Sequence, residues 1–477
     1  MDSLLLILCT AAFLAFLIVS TRFIKRHADS ETYFILSMVR LKRAIPVIKK
    51  FSFLGKFLSL VSIAGLVLGF GIPAVDFLFA RKFRRAKRAA LLSASFVLLY
   101  AFFSLLGIGT HIFGAGLSPL YPGAFALFGL MGFALINLAD QGIHILLRAF
   151  QGQPSCPGVM PVIPGVQIPK VPIVIPLYVW AVFLIILTIH EGSHGIVALR
   201  HKIKPKSAGL LLLGLIPIGA FVEPDDAQFK KASERKQLSV YSAGPSANLF
   251  TFVLFFAVYL LVLNFYALPV INEINAFYET GIDHVEIASV QEEVEFCQEK
   301  EASPAFGVLR EGMRVLEING ETVKSNVDVS NALLALSSAS LQSGIPQNYT
   351  IKVETEAGEI LEKELSLSER FGFAGFQVKN VKKPGFSPPP EYEQTVEFVR
   401  FVAGFLSWLF ILSLILAIVN FLPLPLFDGG RIVPILLLPY FSSARHPPEK
   451  TKKVISVTLL FIVLALLLLN ALPFFFL

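Results

Sequence analysis

Long apolar runs govern what this chain can become. They begin at Met1 and near residues 57, 89, 116, 171, 238, 396 and 454, and charge is nearly absent from each. A helix that is hydrophobic all round, and close to the ~20 residues needed to cross hydrocarbon, belongs in a bilayer. Composition agrees: 55% of the residues are hydrophobic, 16% are charged and 45 are Phe, which is too apolar for a water-soluble chain of this size. The net charge of +7 is scattered over the short segments between runs. That is the bias expected of cytoplasmic loops, and it leaves no basic stripe for nucleic acid. Three cysteines, Cys9, Cys156 and Cys297, stand at no ligand spacing and make no case for a disulfide framework or a Cys-ligated metal.

The first third of the chain sets a topological problem. Met1–Ser20 is followed, not preceded, by Arg22, Lys25 and Arg26, and no small-residue cleavage site closes it. It reads as an uncleaved anchor with its N-terminus outside. Residues 21–56, with Arg40, Lys42, Arg43, Lys49, Lys50 and Lys56, form a basic, partly amphipathic stretch expected to lie on the cytoplasmic face. If the run at 57–80 crosses, the basic cluster Arg81–Arg88 emerges outside, against the positive-inside rule. Either Gly69–Pro73 turns the segment back as a hairpin, or the rule fails locally. The run at 116–149 contains Pro122, an expected break, and carries Asp140 and His144 as a polar helix contact or interfacial pair. Residues 151–172, with Pro154, Pro157, Pro161, Pro164 and Pro169, form an extended loop.

That loop leads into the stretch with the most chemistry, His190-Glu191-Gly192-Ser193-His194, inside the apolar run Val171–Leu199. On a helix, residues four apart share a face, so both imidazoles can serve one metal ion, usually zinc. Glu191 follows the first ligand, where a carboxylate can act as general base. Three ionisable groups in hydrocarbon cost several kcal/mol unless coordinated or paired, which favours metal chemistry inside the membrane. The helix ends at the basic segment Arg200–Lys206. Ser207–Asp226 then runs, interrupted by Gly209, Gly214, Pro217 and Gly219, to a second basic cluster at Lys230–Lys236. Two basic flanks on one side imply a re-entrant hairpin, tolerated where it is buried in protein or lines a watery cavity.

Leu238–Leu268 is a further span, opening on Ser242–Asn248. Residues 269–395 change character, being charged with alternating short strands; this is a soluble domain, expected outside. Within it Ser303–Gly320 is a strand-turn-strand pattern closing on an Asn-Gly hairpin signal. Asn348-Tyr349-Thr350 fits a glycosylation sequon, a triplet common by chance. The chain re-enters at 396–419 and reaches Asn420–Arg431, where Pro423, Pro425, Gly429 and Gly430 must unwind a helix. The segment Arg445–Lys453 is expected in the cytoplasm, and Val454–Leu472 is the last span.

A third ligand is needed. The longer motif H-E-x-x-H-x-x-G-x-x-H would require Gly and His where the chain has Val197 and Arg200, with His201 one place off. Asp428 is the sole carboxylate of the apolar environment from Phe401 to Phe441 and ranks first. Glu223, at the mouth of the hairpin, ranks second. Against metal binding, Asp428-Gly429 could be a surface turn with Arg431 as its partner.

Three motifs in order, His190-Glu191-x-x-His194-Gly195, Ala243-Gly244-Pro245-x-x-Asn248 and Asn420-x-x-Pro423-x-Pro425-x-x-Asp428-Gly429-Gly430, together resemble the site-2 protease family of intramembrane zinc metalloproteases, particularly archaeal members. Ser303–Gly320 resembles the PDZ domain many of them insert. The resemblance is strong over 160–265 and 395–435, moderate in the PDZ region and poor over 1–120. It implies one zinc ion held by His190, His194 and Asp428, with Glu191 activating water and Asn420 positioning the substrate strand or stabilising an oxyanion. Expected substrates are single-span membrane proteins, cut in their transmembrane segments by a protein resident in the lipid bilayer, in the cell (plasma) membrane. The expected fold is a polytopic α-helical membrane protein with an inserted α+β PDZ-like extracytoplasmic domain. Its parts are N-terminal membrane segments (1–150), the two halves of the protease core (151–268 and 396–477) and the soluble domain (269–395). A membrane metal transporter or sensor built on the same His/Asp cluster is the alternative.

Overall fold

The computed structural model describes residues 3–108, 119–167, 174–296, 299–343, 345–368, 372–441 and 447–476. The features expected at Pro169, Val171, Cys297 and Arg445, and the side chain of Cys9, lie outside the described residues. Among those residues, seven helices are long and apolar enough to cross a membrane, so the chain is an integral, multi-pass membrane protein. The helices needed here are α1 (Ser3–His27), α2 (Gly55–Phe70), α3 (Arg85–Ile108), α4 (Leu120–Phe150), α5 (Val179–Arg200), α6 (Glu234–Tyr241), α7 (Ala243–Val262), α8 (Pro390–Phe421), α9 (Asp428–Phe441) and α10 (Pro448–Ala471).

The run at 57–80 doubles back. Gly71 takes φ 58°, a conformation glycine adopts without cost, and it ends α2. Leu78 lines the same cavity as Ser62 and Leu66, whereas in a straight helix it would stand ~18 Å beyond Leu66. The basic residues that follow therefore return to the end from which α2 set out. There Asp76, fully buried, accepts hydrogen bonds from Arg88 at 2.6 and 2.7 Å, from Tyr440 at 2.7 Å and from Arg81 at 3.2 Å.

A second reversal lies in α4, at Gly129 (φ 63°) and not at Pro122, which sits in the first turn, where a missing N–H costs nothing. The Tyr121 hydroxyl reaches Asp140 at 2.9 Å across this bend. His144 stands 3.9 Å from the same carboxylate. The two tips interlock: a Cβ on Gly71 would lie 2.6 Å from the Ala126 carbonyl and 2.8 Å from the Gly129 nitrogen. Backbones approach this closely in a membrane core only where both partners lack side chains.

The first sheet corrects the expectation for residues 21–56. Part of that stretch is strand, β1 (Ser30–Tyr33) and β2 (Leu36–Arg40), and it extends a hairpin of β3 (Pro205–Leu213) and β4 (Ile216–Pro224) into an antiparallel sheet in the order β1-β2-β3-β4. Pairing satisfies backbone groups of Leu36–Arg40 against Gly209–Leu213, a demand that composition alone does not reveal. The tip at Gly214 packs on Leu17 and Ser20 of α1.

Between Ile282 and Lys382 a six-stranded antiparallel sheet encloses its own core, with Ile287, Ile351 and Val353 fully buried. The strands lie in the order Ile360–Ser366, Asn348–Glu354, Arg314–Ile318, Ile282–Val290 and Phe376–Lys382. The short strand Glu321–Thr322 pairs with Arg314–Ile318, and helix Asn326–Ser343 follows it. The turn between them is Asn319-Gly320, both at positive φ (53° and 78°), the requirement of a tight two-residue hairpin. The cysteines also differ from expectation, since Cys156 is disulfide-bonded.

Candidate metal centre

Three donor atoms converge at the middle of the helix bundle. His190 and His194 stand one turn apart on α5, and their Nε2 atoms are 3.2 Å from each other. Asp428 Oδ2 is 3.2 Å from each of them. Bonds of 2.0–2.1 Å to a tetrahedrally coordinated zinc set ligand atoms ~3.3 Å apart; the near-equilateral triangle therefore fits that ion. His190 and Asp428 are buried, at 4% and 9% exposure. Asp428 reaches this position because Pro423 and Pro425 stop α8 and the chain turns sharply back. The Gly429 and Gly430 backbones then press on the carbonyls of Phe421, Leu422 and Leu424, where no side chain fits. The surface-turn alternative fails on geometry: Arg431 lies over the Tyr241 ring, 5.7 Å from its centroid, and makes no ion pair with Asp428.

The imidazoles are held from behind. His194 Nδ1 lies 2.7 Å from the Val240 carbonyl, which can only accept, so Nδ1 carries the proton and the Nε2 lone pair faces the centre. His190 Nδ1 stands 2.9 Å from the Asn248 amide, whose Oδ1 is buried without a partner. With the amide turned over, Nδ1–H donates to Oδ1, and His190 too offers its Nε2 lone pair inward. Glu191 has a ligand-type oxygen within 4.8 Å of both imidazoles. It accepts from the Val222 backbone N–H of β4 at 3.0 Å. Glu223, the second-ranked ligand, is engaged elsewhere, accepting from Ser207 Oγ at 2.6 Å and facing Lys206 at 3.6 Å.

Residues 178–467, more than half of the chain, match the model of peptidase family M50. The chain belongs to this site-2 protease family. An uncharacterized protein of Methanocaldococcus jannaschii is 29% identical over 300 residues, 63% of this chain and 66% of that relative. The chain thus spans just under two thirds of the relative's length. Peptidase family M50 is a family of membrane metalloproteases.

Two cavities meet at this M50 site. One, of about 780 Å³, is walled by apolar residues such as Leu54, Phe57, Ile189, Phe250 and Leu254. The other, of about 640 Å³, is polar and takes in His190, His194, Asp428, Asn420, Arg431 and Tyr241. Glu191, Phe221 and Val222 line both. Asn420 donates one amide N–H to the Leu416 carbonyl of its own helix at 2.9 Å. Sequence reasoning places Asn248 in the Ala243-Gly244-Pro245-x-x-Asn248 motif without giving it a role, and does not single out Val240 or the Val222 N–H. The spacing of Asn248 from Gly244 on one helix face is the signal that could have given it that role; a backbone carbonyl and a backbone amide leave none.

Proposed function

We propose that the chain is an intramembrane zinc metalloprotease that hydrolyses peptide bonds in transmembrane segments of single-span membrane proteins. The observation that carries this reading is the position of Glu191, whose carboxylate borders an apolar cavity on one side and a polar one on the other. A hydrophobic substrate and water can therefore reach the same group.

His190, His194 and Asp428 would hold the zinc, which when bound polarises the scissile carbonyl and acidifies water. Glu191 takes a proton from the attacking water and delivers it to the leaving nitrogen. The Val222 N–H steadies the Glu191 carboxylate for this work. Asn420 retains one amide N–H and its oxygen to position the substrate strand or an oxyanion. The outer edge of β4, which no other strand among the described residues pairs, suits an unwound substrate added as a further strand.

The division into membrane segments (1–150), two core halves (151–268 and 396–477) and an inserted domain (269–395) belongs to the same proposal. So does the cell membrane as the site of action. The basic end, with Arg200–Lys206 and Lys230–Lys236, faces the cytoplasm. The sheet domain is a PDZ-like reader outside that restricts access to substrates already trimmed. The test is incubation of the reconstituted protein with single-span substrates, followed by mass mapping of products. Cleavage within the span that a chelator stops and zinc restores is expected. Cleavage confined to soluble loops would contradict the reading.

A further inference from the structure

A third cavity, of about 270 Å³, opens beside the basic end of α5, between α2 and the start of α6. Its walls combine His201, Arg235, Lys236 and serine hydroxyls with the apolar side chains of Ile63, Leu66 and Leu78, and no carboxylate is among the described residues that line it. Two polar atoms, His201 Nε2 and Ser59 Oγ, are buried there without a hydrogen-bond partner. Such orphaned groups cost free energy unless a ligand or water satisfies them. Ser233, the residue preceding α6, makes no side-chain cap; its carbonyl accepts from the Lys236 N–H at 2.8 Å, and the Glu234 and Arg235 N–H groups have no partner among the described residues. Arg235 and Lys236 make no ion pair among the described residues; the neighbouring Glu234 is turned to Lys452 at 3.8 Å.

We propose that this cavity is an anion site for a phosphate group, supplied by a membrane lipid headgroup or by free phosphate. Three kinds of donor line it: the Arg235 guanidinium and Lys236 ammonium, the His201 imidazole, and the unpartnered Ser59 hydroxyl. Phosphate offers several strong acceptor oxygens that match such a set. The apolar wall of Ile63, Leu66 and Leu78 suits the carbon skeleton behind a headgroup, and basic pockets between membrane helices bind lipid phosphates. Burial, together with the charges of Lys236 and Arg200, holds His201 below its ordinary value, as expected where positive groups gather with no anion among them.

The full chain is placed in nanodiscs of phosphatidylcholine alone, or of phosphatidylcholine mixed with phosphatidylglycerol, and retained lipid is counted by native mass spectrometry. Inorganic phosphate is titrated calorimetrically into the full chain held in a maltoside detergent, which carries no phosphate. A lipid-fed site retains phosphatidylglycerol stoichiometrically; a phosphate-fed site shows saturable phosphate binding instead. Either is weakened roughly thirtyfold in Arg235→Ala/Lys236→Ala, from ~1 kcal/mol for each basic contact. The control Lys230→Ala/Lys231→Ala changes net charge equally but leaves the cavity intact, and it should bind like wild type. An equal loss in the control would mean diffuse surface electrostatics and overturn the proposal, as would the absence of both retained lipid and saturable phosphate binding.

Discussion

A Cβ on Gly244 would collide with Nε2 of His194, and also with Nε2 of His190. The Ala-Gly-Pro turn that opens α7 therefore clears the space in which the two imidazoles meet. Gly244→Ala should displace both rings and abolish zinc binding, although one methyl on a membrane helix is otherwise a mild change. Metal analysis of the purified variant checks this; a full complement of zinc would show that the rings do not need the clearance.

Asn248 should set zinc affinity through His190. Asn248→Leu leaves Nδ1 of His190 without its partner at 2.9 Å, and loss of such an orienting contact lowers metal affinity ~10–100-fold. Competition with a graded series of chelators measures it. Unchanged affinity would mean that packing alone orients the ring.

The hydrogen bond from Val222 to Glu191 predicts an effect with a different signature. Val222→Pro removes the N–H that the Glu191 carboxylate accepts. Cleavage should fall at least tenfold with zinc content unchanged, because neither metal-facing imidazole is touched. A parallel loss of zinc would show instead that the hairpin supports the whole site.

Asp76 is expected to matter for stability. Removing one member of a buried ion pair leaves uncompensated charge and costs ~3–5 kcal/mol. Arg81 and Arg88 are partly exposed, at 26% and 37%, so Asp76→Ala should lie at the lower end of that range. Thermal unfolding in detergent reads the loss. Tyr440→Phe, which removes a single hydroxyl contact to Asp76, should cost less.

Much of the site is legible in the amino-acid sequence itself. His190, Glu191, His194 and Asp428 stand out as ionisable groups inside apolar runs, where burial demands a purpose. Less visible is what depends on pairing between distant residues. Leu36–Arg40 is strand because β3 offers an edge to it, and Ser30–Tyr33 pairs in turn with that strand; nothing local distinguishes either from a surface helix. The basic cluster after residue 80 conflicts with the positive-inside rule only if the chain runs straight; Gly71 reverses it, and Asp76 collects the arginines. Gly129, not Pro122, makes the second bend, since proline in a first turn breaks nothing while a glycine at positive φ does.

The most direct test of the central claim is Glu191→Gln. The amide matches the carboxylate in size and can still accept from Val222, but it cannot take a proton. Measured together on the reconstituted variant, zinc content and binding of a single-span substrate should match wild type. Cleavage should fall by ~10²–10⁴-fold, the range for a lost general base. Cleavage near the wild-type rate would contradict the account and move the base to another residue.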